Sequence, residues 1–240
     1  MTRHLEWSGC RNVRDLGGIP VRGGRTTRHG ALVRAESLHR LDPDGVRAVT
    51  EHGVGTILDL RSDWELGDDT HPFASSDRYR RIPWIDPVRD AERDPDAERT
   101  LADLYQGSLD RNTSQIATIV RAIAEAPVGA VVVHCRAGKD RTGLLVALLL
   151  DLVGVPREEI AADYAASEHR LGLPDGAALP DDGPAVPDDR VDAFWRTERQ
   201  TILTALEHVD HRHGGTRRYL LGSGVTALIL DRLAGRLVSG

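Results

Sequence analysis

Residues 129–153 read GAVVVHCRAGKDRTGLLVALLLDLV, and this stretch decides the fold. Its first part, residues 129–133, is short, apolar and β-branched, and it predicts a buried strand. Residues 142–153 are apolar on most faces and predict a buried helix. Between them lies a loop that begins at Cys135 and ends at Arg141. A strand, a tight loop and a helix in this order indicate an α/β fold.

The rest of the chain alternates between strand-like and helix-like patterns. Strands are predicted at residues 54–60 and 79–85, and helices at residues 43–52, 100–109, 113–125, 156–168, 189–208 and 225–237. We therefore expect one α/β domain over residues 1–240, with a short central, largely parallel sheet flanked by helices. Two segments are candidate lids, residues 87–110 and the Pro-rich residues 171–189.

Composition excludes several classes of function. The formal charge of −6 argues against a nucleic-acid binder with a broad basic face. No apolar run of about 18 residues occurs, so stable membrane insertion is not expected. The first ten residues lack the apolar stretch of a secretory signal, which makes the cytoplasm the expected location, although leaderless export would leave no trace. Two cysteines are too few for a disulfide framework or a CxxC zinc site.

The loop after the strand has the composition of a phosphate site. A cysteine followed six positions later by an arginine is a weak signal alone, but the preceding buried strand and following buried helix strengthen it. Backbone N–H groups of such a loop converge on an anion and stabilise a thiolate, which predicts Cys135 as a nucleophile. The predicted phosphate-binding residues are Arg136, Ala137, Gly138, Lys139, Asp140 and Arg141.

Side chains of the same stretch suggest further roles. Arg141 presents a planar pair of donors that can grip two phosphate oxygens. Lys139, the only lysine of the chain, would add a positive charge at the rim. Thr142 can donate its hydroxyl to the Cys135 sulfur when the phosphocysteine is hydrolysed. The His134 side chain is expected to orient the loop by a hydrogen bond to the backbone.

Two aspartates compete for the role of general acid, which protonates the leaving oxygen. Asp140 lies inside the loop, where a bound phosphate dianion would raise its pKa. Asp86 follows the second predicted strand, from which a moving loop could bring it over the site. We favour Asp140 and keep Asp86 as the alternative.

The motif HCRAGKDRTG at residues 134–143 resembles the signature of the cysteine-dependent protein tyrosine phosphatase superfamily. Its Lys-Asp pair resembles the bacterial dual-specificity branch, which acts on phosphotyrosine, phosphoserine or phosphothreonine and phosphoinositides. Further matches to that branch are RNVRDLGG at residues 11–18, LVRAESL at 32–38, DLRS at 59–62 and IPWID at 82–86, the last carrying the alternative acid. The acidic stretch after Asp86 is shorter than that family's helical lid, so lid behaviour does not transfer.

Three arginines and three histidines have more than one interpretation. Arg14, Arg34 and Arg61 fall where strands end or loops turn, so they form structural ion pairs or contact a substrate. His208, His211 and His213 could suggest a metal, but HVDHRHGG is typical of a helix end with solvated histidines. We expect no metal and no other cofactor.

The sequence therefore predicts a phosphate-monoester hydrolase that works through a phosphocysteine intermediate and releases phosphate. The expected substrates are proteins that carry phosphotyrosine, or phosphoserine and phosphothreonine. Alternatives are a phosphoinositide or small-metabolite phosphatase, and a pseudophosphatase that binds phosphorylated partners without turnover. A pseudophosphatase usually lacks the cysteine, the arginine or the acid, and this chain has all three.

Overall fold

A computed structural model describes residues 3–66, 71–171 and 197–239. Its central sheet has five strands in the order β1, β4, β7, β5, β6, and a separate hairpin contains β2 and β3. The strands are β1 Arg14–Asp15, β2 Pro20–Val21, β3 Arg25–Thr26, β4 Leu32–Ala35, β5 Val54–Asp59, β6 Tyr79–Arg81 and β7 Ala130–His134. Every pairing in the central sheet is parallel except that of β1 with β4, which confirms the predicted largely parallel sheet.

Helices cover the sheet, and most lie where the sequence pattern predicts them. They are α1 Pro43–Glu51, α2 Pro87–Asp90, α3 Leu101–Arg111, α4 Thr113–Ala124, α5 Asp140–Leu152, α6 Arg157–Leu171, α7 Arg199–His213, α8 Thr216–Gly222 and α9 Ala227–Leu237. Asp42 and Thr100 cap α1 and α3 by accepting backbone N–H groups. The seven-residue α8 was not predicted because a helix so short leaves a weak periodic signal. Within the described ranges no helix has the length and apolarity that crossing a membrane requires.

The register of the sheet places Cys135 at the carboxyl end of the central strand β7, beside the carboxyl ends of β4 and β5. His134, the last residue of β7, lies opposite Ala35 at the end of β4 and Asp59 at the end of β5. The segments that follow these three parallel strands therefore emerge together. The helix α5 packs its apolar residues into the core next to them.

The two candidate lids stay predictions. Within residues 87–110, Tyr105 and Leu109 of α3 are buried in the main core. Leu101, Tyr105 and Leu109 recur every fourth residue and form a stripe that needs a core to pack against. The other candidate, residues 171–189, lies outside the described residues after Leu171.

Candidate active site

The backbone of the loop after Cys135 is held from outside at three consecutive carbonyl groups. The donors are the backbone N–H of Ser37 to Arg136 O (2.8 Å), Nδ2 of Asn12 to Ala137 O (2.9 Å) and Nη2 of Arg34 to Gly138 O (2.6 Å). In a trans peptide the N–H points opposite to the C=O of the same unit. The N–H groups of Ala137, Gly138 and Lys139 therefore face away from these donors, into the loop, where they can converge on one anion.

Gly138 and the start of α5 complete this cradle. Gly138 has a φ of +65°, and a Cβ there would lie 2.3 Å from the carbonyl oxygen of Ala35. Only glycine therefore allows the loop to approach β4 this closely. The helix α5 begins at Asp140, two residues earlier than predicted, so its positive N-terminal end lies within the loop.

Arg141 forms a two-pronged pair with Glu65, a residue that the sequence did not suggest. Nη1 lies 2.5 Å from Glu65 Oε2, and Nη2 lies 2.6 Å from Oε1. Burial alone would lower the pKa of the Arg141 guanidinium, but the charges of Cys135 and Glu65 raise it above its usual range. The pair uses two of the five N–H groups of the guanidinium and leaves the others for a phosphate.

Glu65 is fixed by its own local structure. It ends a turn of 3-10 helix, Asp63–Glu65, and its Oε2 accepts the backbone N–H of Ser62 at 2.7 Å. The spacing Ser-x-x-Glu at residues 62–65 is the sequence signal that could have located this turn. Its contact with Arg141, 76 residues away, has no such local signal.

Arg14 and Arg34 lie behind the loop in what we name the Asp163 cluster, which consists of Arg14, Arg34, Asp163 and Ser167. Arg14 Nε lies 2.9 Å from Asp163 Oδ1, and Arg34 Nη1 lies 2.7 Å from Oδ2. Ser167 Oγ accepts from both guanidinium groups. The four residues are fully buried. Of the two interpretations given for Arg14 and Arg34, these contacts are the structural ion pairs. Arg34 reaches the loop through Gly138 O, and Arg14 reaches it through Asn12, whose Oδ1 accepts from Arg14 Nη1.

Asp163 was also missed by the sequence analysis. It lies on α6 in a buried stripe of one face, together with Ile160, Tyr164, Ser167 and Leu171. An aspartate at an apolar position of a helical pattern is the signal that could have found it. Burial would raise the pKa of Asp163, but Arg14 and Arg34 lower it well below its usual range.

The Arg61 guanidinium is likewise paired with a buried carboxylate. Its Nε and Nη2 donate to the Asp59 carboxylate at 3.1 and 2.8 Å, and both side chains are buried. Of the two interpretations given for Arg61, this pairing is the structural ion pair. His134 lies nearby, with Nδ1 3.2 Å from the carbonyl oxygen of Cys135, so Nδ1–H donates to the backbone as predicted. Burial lowers the pKa of His134, which keeps this ring neutral.

Asp140 lies at the mouth of the loop with a 40 % exposed side chain. Its Oδ1 accepts from Lys139 Nζ at 2.8 Å and from the Tyr105 hydroxyl at 2.5 Å. Burial raises the pKa of Asp140, but Lys139, Tyr105 and Arg141 outweigh burial and lower it. Lys139 is itself buried, which corrects its predicted place at the rim.

Asp86, the alternative acid, caps a helix. Its Oδ1 accepts the backbone N–H groups of Val88 and Arg89 at 3.0 and 3.3 Å, at the start of α2. Its own backbone N–H donates to Asn112 Oδ1 at 2.8 Å. The carboxylate therefore has a structural function in this conformation, whereas that of Asp140 belongs to the loop.

Two other predicted features are the Thr142 hydroxyl and the histidines at the end of α7. Thr142 Oγ1 is buried and has no hydrogen-bond partner in the described ranges, so its predicted bond to Cys135 is not formed here. His208 pairs with Asp110 at 3.1 Å, next to Arg212. Among residues 3–66, 71–171 and 197–239, no three His, Cys, Asp or Glu side chains are grouped to hold a metal ion.

Comparison with known proteins agrees with a phosphate site. Residues 5–239 match the tyrosine phosphatase family. A tyrosine-protein phosphatase of Nostoc commune is 34% identical over 86% of this chain and 74% of its own length. The triple specificity protein phosphatase PtpB of Mycobacterium tuberculosis is 27% identical over 97% of this chain and 98% of its own length.

Proposed function

Because this chain belongs to the tyrosine phosphatase family, we propose that it hydrolyses phosphate monoesters through a phosphocysteine formed on Cys135. Membership makes the chain a phosphatase enzyme that acts on phosphorylated substrates and releases phosphate. The covalent intermediate, the roles of single residues and the range of substrates are the parts that we add.

The observation that carries the proposal is the outward anchoring of the three loop carbonyls. Ser37, Asn12 and Arg34 hold the carbonyl groups of Arg136, Ala137 and Gly138, so consecutive N–H groups face the loop interior before a phosphate arrives. Donors that are fixed in advance stabilise a developing negative charge without reorganisation. An inert buried cysteine would not need such an arrangement.

In the first step, Cys135 Sγ attacks phosphorus as a thiolate, the S–P bond forms and the bond from phosphorus to the ester oxygen breaks. Arg141 and the loop N–H groups bind the equatorial oxygens, on which charge accumulates. The protonated carboxyl of Asp140 gives its proton to the leaving oxygen. Asp86 stays the alternative donor.

In the second step, a water molecule attacks the phosphocysteine. The new O–P bond forms as the S–P bond breaks, and the carboxylate of the acid takes the proton from water. The thiolate returns, helped by the positive end of α5. The Thr142 hydroxyl, which is buried and has no hydrogen-bond partner in the described ranges, is the donor that we propose for this sulfur.

Phosphotyrosine in proteins is the substrate that we propose first, with phosphoserine, phosphothreonine and phosphoinositides as further ones. The name of the relative PtpB, a triple specificity phosphatase that matches almost the whole chain, supports a broad range. The Lys139–Asp140 pair inside the loop supports the same branch.

The test measures phosphate release from an aryl phosphate, a phosphotyrosine peptide, a phosphoserine peptide and a phosphoinositide, with EDTA present. Cys135→Ser should abolish turnover of every substrate. Cys10→Ser is the matched control, because Cys10 is the other buried cysteine and its thiol donates to Ser37 O at 3.6 Å. This variant should keep its activity.

The outcomes separate the alternatives. Turnover that depends on Cys135 supports the mechanism, and the relative rates rank the substrates. Turnover that survives in Cys135→Ser would contradict the cysteine mechanism. If the wild type released no phosphate but bound the phosphotyrosine peptide, the pseudophosphatase would replace the enzyme.

A further inference from the structure

We propose that Tyr105, supported by Tyr164, is a positioning residue for the general acid, and that it fixes Asp140 so that Oδ2 delivers the proton. This inference rests on the proposed function with Asp140 as the acid. It adds a buried pair of tyrosines, from α3 and α6, to the machinery of the site.

The two hydroxyls form a directed chain that ends at Asp140. Tyr105 Oη lies 2.5 Å from Asp140 Oδ1 and 2.7 Å from Tyr164 Oη, and both rings are 1 % exposed. A hydroxyl has one proton to donate. Because the Tyr105 proton points to the carboxylate, Tyr164 must donate to Tyr105, and the chain runs from Tyr164 through Tyr105 to Asp140.

The same geometry distinguishes the two oxygens of Asp140. Oδ1 accepts from Tyr105 and from Lys139 Nζ, at 2.8 Å. A lysine ammonium has no lone pair, so it can only donate. A proton on Oδ1 would face two donors and would displace one of them. The carboxyl proton therefore belongs on Oδ2, and the two donors restrict rotation that would exchange the oxygens.

The charges around Asp140 determine how the chain acts on its titration. Lys139 and Arg141 face it from its own loop and helix, Tyr105 faces it from α3, and Tyr164 lies behind Tyr105 on α6. Burial, with the charge of Asp140, raises the pKa of Tyr105 well above its usual range, so its hydroxyl stays a donor. That donor favours the carboxylate over the carboxyl. Its removal should raise the pKa of Asp140.

A simpler interpretation is that Tyr105 only fills the core, and Tyr219 provides the matched control. Tyr219 is equally buried, and its hydroxyl donates to Leu109 O on the same helix α3 at 2.7 Å. Tyr105→Phe and Tyr219→Phe each remove one buried hydroxyl bound at α3. Only the first removes a contact with Asp140.

The experiment measures kcat/KM against pH for two esters, an aryl phosphate with a good leaving group and an alkyl phosphate with a poor one. In Tyr105→Phe the alkaline fall of kcat/KM should move upward by about one pH unit. Below that fall, the rate on the alkyl ester should drop about tenfold while the aryl rate stays close to wild type, because only a poor leaving group needs the proton. Tyr219→Phe should match the wild type in both respects.

Further variants complete the test. Tyr105→Phe should have no effect on either ester when it is added to Asp140→Asn, because its target is already gone. If Tyr105→Phe does not fold, Tyr164→Phe, which removes the donor to Tyr105, should shift the profile in the same direction by less.

The inference and the proposed function fail in different ways. A pH profile and ester ratio in Tyr105→Phe equal to those of Tyr219→Phe would overturn the positioning role, while turnover by the wild type would leave the function intact. Unchanged use of the alkyl ester by Asp140→Asn would instead remove Asp140 as the acid. Absence of turnover in the wild type would refute the function itself.

Discussion

Two arginine–carboxylate groups contact the loop, and they differ in their surroundings. In the Asp163 cluster, Arg14 and Arg34 are buried with Asp163, and Arg34 also donates to Gly138 O in the loop. At the end of the loop Arg141 pairs with Glu65, and the Arg141 side chain is 18 % exposed. The same chemical pair therefore has two functions: the fully buried group shapes the loop, and the partly exposed one prepares a guanidinium for phosphate.

The largest loss of activity is expected from Arg141→Lys. A lysine keeps the charge but loses the planar fork, so kcat/KM should fall by about 10³ to 10⁴ while the free energy of unfolding changes little. Steady-state kinetics and urea denaturation on the same preparation measure both. Arg14→Lys is the counterpart on the buried side, and it should mainly destabilise the fold. Equal loss of activity in the two variants without loss of stability would contradict the comparison.

Asp163→Asn should have the largest effect on stability. It leaves two buried guanidinium groups without their carboxylate, which typically costs about 3 to 5 kcal/mol in the free energy of unfolding. Urea denaturation at pH 7 measures the loss. A change below about 1 kcal/mol would mean that the cluster does not support the fold.

The pH dependence of stability should also distinguish the buried Asp163 cluster from exposed ion pairs. The pKa of Asp163 is lower in the folded protein than in the unfolded chain, where it is about 3.9. The stability that its charge contributes is therefore complete above about pH 4 and is lost as the pH falls further. Asp163→Asn should flatten the acid limb of a stability–pH curve. The exposed Asp231, paired with Arg217, gives the control Asp231→Asn, which should keep the wild-type slope.

The smallest effect is expected from Glu65→Gln. The amide keeps the size of the side chain but weakens the hold on Arg141, so kcat should fall about tenfold with stability within about 1 kcal/mol of wild type. Glu98→Gln is the control, because Glu98 is an equally buried carboxylate that pairs with Arg93 and Arg111. A loss of activity as large in Glu98→Gln would show that the Glu65 effect is not local.

The sequence predicted the parts of the molecule that depend on residues close together in the chain. The strand, the loop and the helix around Cys135 are contiguous, so apolar patterning and residue spacing located them, and α1 and β5 followed from a cap and an apolar run. The largely parallel sheet followed from alternating elements. Each of these rests on neighbours in the chain.

What the sequence did not predict depends on contacts between distant elements. Glu65 reaches Arg141 across 76 positions, and Asp163 reaches Arg34 across 129. A charged residue in a sequence is usually solvated, so a pattern alone cannot tell which arginine will be buried with a carboxylate. For this reason the sequence leaves substrate contacts open for Arg14, Arg34 and Arg61, whose side chains are buried in the structure.

The central claim is tested most directly by trapping the intermediate. The enzyme is mixed with an aryl phosphate, quenched in acid during turnover, digested, and examined by mass spectrometry. The account predicts one phosphoryl group on the peptide that contains Cys135 and none on the peptide that contains Cys10. Steady turnover with no phosphoryl group on Cys135, under conditions in which a reference phosphocysteine survives the quench, would contradict it.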